Sequence, residues 1–100
     1  MPKVFHAVIR GLRGSWSSGL ATLDVEQDGH RLGLLGDSGP LVRALDDAFG
    51  GVIQPGHRAD VSGIVGQDIT YWLTDWGTLA GFVPGQVEAA DIFEDEEVEA

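Results

Sequence analysis

The stretch "LDVEQDGHRLGLL", Leu23 to Leu35, decides the fold, because two alternating apolar runs flank a turn whose chemistry permits one register. Asp28-Gly29 supplies two residues able to take positive φ, which a type I′ turn requires at both central positions. Counting outward sets Gln27 against His30, Glu26 against Arg31, Val25 against Leu32 and Leu23 against Leu34. Apolar partners then share one face while Glu26 and Arg31 meet on the other. Agreement of this kind pins a register and contributes roughly 0.2–1 kcal/mol per pair. The alternation starts at Leu20, so a strand over Leu20 to Gln27 and its return from His30 are expected.

Upstream, Val4 to Arg13 is β-branched and apolar enough for another strand, followed by "GSWSSG", a loop that carries Trp16. Downstream, "GDSGPLVRALDDAFGG" reads as a helix of about ten residues. Ser38 or Gly39 caps it, Pro40 stands in the first turn where its missing N–H costs nothing, and Gly50 closes it. Leu41, Leu45, Ala48 and Phe49 share a face that Val42 widens, and Arg43, Asp46 and Asp47 point away.

A linker with a Pro55-Gly56 turn signal leads to a short strand expected over Val61 to Val65, then to a last hairpin over Ile69 to Pro84. In that hairpin "TDWGT" fits a three-residue loop with Gly77 in the left-handed region. The pairing predicted from it sets Thr74 against Thr78, Leu73 against Leu79, Trp72 against Ala80, Tyr71 against Gly81, Thr70 against Phe82 and Ile69 against Val83. The order β-β-β-α-β-β, with one further short strand allowed, predicts an α+β fold. Its core is a curved antiparallel sheet of five to six strands crossed by one short amphipathic helix.

The totals agree with a single domain. One hundred residues, 43% of them apolar, can bury one modest core, and with no cysteine that core carries the cohesion alone. The formal net charge is −10, but all six basic residues lie within the first 58, where six acids balance them. Of the other ten acids, seven fall in the last 13 residues. The division expected is a domain over 1–86 and an acidic, flexible tail over 87–100, in which Ile92 and Phe93 stand out as residues able to dock on a partner. No window approaches the length of a membrane span and no signal peptide is evident, so a cytoplasmic protein without membrane contact is expected. A near-neutral body with an acidic tail repels phosphates, which argues against nucleic acid as a partner.

Motifs that promise chemistry are weak. "GDSGP", Gly36 to Pro40, resembles the nucleophile signature of the chymotrypsin-like serine proteases over five residues, one glycine short of their usual form. That resemblance implies two barrels aiming a Ser, a His and an Asp at one point, which 100 residues cannot build. A strand-to-helix turn accounts for the motif. His6, His30 and His57 lack metal-ligand spacing, and Asp46 and Asp47 diverge on a helix by about 100°. The glycines lack the setting of a phosphate loop. No catalytic residue, metal or cofactor is assigned.

What remains is the outer face of the last hairpin. In the predicted register it collects Thr70, Trp72, Thr74, Thr78, Ala80 and Phe82, on a side of the sheet that a single helix leaves uncovered and that should be polar. Trp72, Phe82 and Ala80, with Trp16 nearby, therefore form the candidate contact surface, either covered by the chain's own loops or meeting a second copy or another protein. The expected function is protein–protein contact, first of all homodimerisation through that face. The alternative is a small enzyme or ligand-binding protein with a pocket between helix and sheet, using His57 and Asp60.

Overall fold

A computed structural model describes residues 2–14, 19–56 and 58–93. Asp28 at φ 53° and Gly29 at φ 81° both take the left-handed backbone that the first hairpin demands. On either side β2 (Leu20–Gln27) and β3 (His30–Asp37) pair without a break in the predicted register, from Gln27 with His30 to Leu20 with Asp37. Before them runs β1 (Phe5–Gly14), and after them α1 (Ser38–Phe49), the two-residue strands β4 (Ile53–Gln54) and β5 (Arg58–Ala59), then β6 (Asp68–Leu73), β7 (Leu79–Pro84) and the short α2 (Ala89–Ile92). The fold is α+β. One antiparallel sheet takes the order β3-β2-β1-β6-β7, and β4 and β5 form a small separate hairpin around Pro55-Gly56.

On one side of the sheet α1 buries Leu41, Val42 and Leu45 against Ile9, Leu23, Val25, Ile69 and Tyr71. The chain then turns back at Gly50 and Gly51, both at positive φ, and Val52 drops into the same core. Asp46 fixes that return: its Oδ1 accepts the backbone N–H of Val52 at 2.9 Å and of Ile53 at 3.0 Å. A residue expected to face solvent on the helix thus has a structural task.

Three sequence expectations need correction. The N-cap of α1 is Asp37, not Ser38 or Gly39, which are already helical. The strand expected over Val61–Val65 is a 3-10 turn over Ser62–Ile64. Val61 and Ile64 are three apart, the spacing of one tight turn, so both reach the core together. The turn is tied to β1 by Gly66 N–H to the Ile9 carbonyl (2.8 Å) and Ile9 N–H to that of Gln67 (3.0 Å).

The last hairpin also differs. Leu73 faces Leu79 as predicted, but Ala80 is then an extra residue in β7, a β-bulge. Beyond it Trp72 faces Gly81, Tyr71 faces Phe82, Thr70 faces Val83 and Ile69 faces Pro84. A slip of one residue exchanges the faces of every side chain that follows. Phe82, expected outside beside Trp72, therefore packs against the core on the helix side. The physical reason lies in the indole of Trp72: a Cβ at position 81 would come within 2.6 Å of its Cζ2, so the residue opposite must be glycine.

The outer face is divided. Over β1 and β2 it is polar and ion-paired, Arg10 to Glu26 at 3.0 Å and Arg13 to Asp24 at 2.8 Å. Arg31, the register neighbour of Glu26, does not take this pair, because a bulge at Arg10 brings that guanidinium over Glu26 instead. Over β6 and β7 the chain's own segment from Gly85 to Phe93 lies across the sheet. Buried Thr70 anchors it: Oγ1 donates to the Gly85 carbonyl at 2.8 Å and accepts the Val87 N–H at 2.8 Å. His6 Nε2 donates to the Val87 carbonyl at 3.1 Å.

Candidate functional site

The exposed apolar residue that most needs an explanation is one the sequence reading passed over as part of a turn. Trp76, between β6 and β7, is 90% exposed. Its turn is held by Thr74, whose N–H donates to the Thr78 carbonyl at 2.8 Å and whose carbonyl accepts from Gly77 N–H at 3.0 Å. The Thr74 hydroxyl accepts from the backbone N–H of Trp76 and of Thr78, each at 3.2 Å, and stands 2.7 Å from the Thr78 hydroxyl. With both acceptor sites taken, Thr74 is the donor of that last bond. Gly77 at φ 86° closes the turn as predicted.

Five hydrogen bonds on one threonine thus hold a bare indole at the end of a hairpin. Beside it, Pro2, Lys3, Phe5, Leu73, Thr74 and Asp75 line an open recess of about 580 Å³. The floor is firm: Phe5 stacks on Tyr71 at 5.4 Å between centroids, and Tyr71 donates its hydroxyl hydrogen bond to Gln27 Oε1. Burial raises the Tyr71 pKa, so its phenol stays neutral. The Lys3 ammonium lies 5.5 Å from the Phe5 ring centroid, over its face.

The residues singled out from sequence separate in the structure. Trp72 is half-buried on the outer face, with its indole over Gly81 and the Phe93 ring edge-on at 5.0 Å and 80°. Phe93 therefore joins Trp72 from the tail side and Ile92 is half-buried, whereas Phe82 is on the opposite face and Ala80 is exposed at the bulge. Trp16 and His57 lie outside the described residues. The signal that could have pointed to Trp76 is its place among Asp75, Gly77 and two threonines, since a turn tip cannot bury an indole.

The space between helix and sheet is a cleft of about 340 Å³ lined by Gly36, Asp37, Leu41, Leu79 and Phe82 among others. Asp37 is its titratable side chain. Ser38 of the protease-like motif is buried in the first turn of α1, its N–H bonded to the Gly19 carbonyl at 3.1 Å. Asp60 is exposed and accepts the Ser62 N–H at 2.9 Å, a bond that lowers its pKa and keeps it ionised. Among the described residues no group of three or more His, Asp or Glu is placed to hold a metal ion, and no helix is long and apolar enough to cross a membrane. Compared with known proteins, the chain matches no family model, no curated protein and no solved structure.

Proposed function

We propose that the chain acts by protein–protein contact and that Trp76 is its anchor. The observation that carries this reading is the combination of 90% exposure with a turn tied down by Thr74. A buried Trp removes some 150–250 Å² from water, worth about 5 kcal/mol at 25 cal/mol per Å² before the costs of association. Here the tip is already ordered, so little of that gain goes into freezing a loop. The partner that fits presents an apolar socket for the indole with a cation placed to match Asp75 beside it.

This moves the contact away from the sheet face first expected, since Phe93 covers part of Trp72 and Phe82 is turned inward. The same reading keeps the chain in the cytoplasm, as its sequence suggests. A photo-crosslinking residue at position 76, with the same residue at exposed Val65 as control, tests it in cells. A discrete adduct from position 76 alone is expected. No adduct, or the same set from both positions, refutes it.

A further inference from the structure

We propose, on the reading of Trp76 as a contact anchor, that its partner is a second copy of this chain: two copies pair about a two-fold axis, each setting its Trp76 into the recess beside the other's. Knob and hole lie on one patch. Thr74 and Asp75 belong to the turn that carries the indole, and they also form part of the recess wall, with Pro2, Lys3, Phe5 and Leu73 as the rest. Trp76 does not fill its own recess, being 90% exposed and no part of the lining. A protruding ring next to an open hole is self-complementary under a two-fold rotation, since one operation fills both holes.

Size and chemistry agree with this occupant. The recess of about 580 Å³ lies within the roughly 300–1,000 Å³ of sites that take up a ligand-sized group, so an indole fits. Its apolar floor is ready-made: Phe5 and Leu73 both pack against the core, and Phe5 is backed by the Tyr71 ring at 5.4 Å. Little side-chain freedom is lost there on docking.

The charges favour a second copy over an unrelated protein. Lys3 and Asp75 line the same recess, and neither makes an ion pair among the described residues. Asp75 precedes Trp76 in the chain, so an indole that enters the second copy's recess carries its carboxylate toward Lys3 of that copy. The rotation makes this contact twice. The socket and the cation that the anchor requires are thus already present together on this chain.

Buried area sets the strength. Two indoles of some 150–250 Å² each, with a like area of recess wall, give roughly 600–1,000 Å², below the about 1,200–2,000 Å² of stable interfaces. The dimer is therefore weak, with a dissociation constant in the micromolar range or above.

Sedimentation equilibrium of the full purified chain, from micromolar to millimolar concentration, tests this. The parent is expected to pass from its 10.6 kDa mass toward twice that value. Trp76→Ser should stay monomeric, with an unchanged circular dichroism spectrum. Lys3→Glu and Asp75→Lys should each raise the dissociation constant about tenfold or more, because each turns two attractions into repulsions. Mixing these two variants in equal amounts should restore pairing, since both contacts of the mixed dimer then join opposite charges. A parent that remains monomeric throughout overturns the proposal. If position 76 then still gives an adduct with a different protein in cells, the anchor reading stands without the second copy; with no adduct either, both fall. A dimer that survives Trp76→Ser also overturns the proposal, as does a mixture that pairs no better than its components.

Discussion

The indole of Trp72 fills the space above Gly81, where an added Cβ would stand 2.6 Å from Cζ2. No movement of a flexible chain end can relieve that overlap, because the obstacle is a rigid ring that also holds an edge-on contact with Phe93. Gly81→Ala should therefore destabilise the fold by about 1–3 kcal/mol, the range for overpacking a filled site. Urea denaturation checks it. In a Trp72→Ala background most of the penalty should vanish, and a double-mutant cycle that shows simple additivity would refute the steric account.

Thr70 has its hydroxyl wholly buried, at 0% residue exposure, and shared between the Gly85 carbonyl and the Val87 N–H. Thr70→Val keeps the shape and removes both bonds. A loss of about 1–3 kcal/mol is expected, with faster hydrogen exchange at the Val87 amide than at strand amides such as Tyr71. Unchanged exchange at Val87 would mean that the segment is held by its apolar contacts alone.

Trp76 should behave in the opposite way. Nothing in the core depends on it, so Trp76→Ser is expected to change stability by no more than about 0.5 kcal/mol. Thr74→Val, by contrast, removes the side-chain bonds of the turn. It should lower the fluorescence anisotropy of the indole at 76, read in a chain where that is the one remaining Trp.

Tyr71 links stability to alkaline pH. Burial raises its pKa, so the folded chain holds the phenolic proton more tightly than the unfolded chain does. The contribution is complete below the unfolded value of about 10 and is lost as pH rises through the folded one. The urea midpoint should fall above about pH 10. Tyr71→Phe should abolish this fall while starting from a lower midpoint, because Gln27 loses its donor.

The first hairpin and the helix were legible because local chemistry fixes them. Only one register satisfies Asp28-Gly29, and the apolar stripe of α1 needs a sheet to cover. The second hairpin was legible only to its turn. Ala80 and Gly81 are both small and uncharged, so the alternation of "LAGFVP" reads equally well with or without a bulge, and the choice rests on the width of an indole on the facing strand. The segment from Val87 to Phe93 was hidden for a related reason. Its acid-rich composition argues for solvation, whereas its attachment depends on one hydroxyl of Thr70 and one ring nitrogen of His6, which no periodicity displays.

The surplus residue at Ala80 also limits what the folded protein can become. A ribbon with two ladder-competent margins recruits further ribbons without end, which is how native sheets seed fibrils. Kinked at Ala80 and stopped at Pro84, the β7 margin cannot act as a template of that kind.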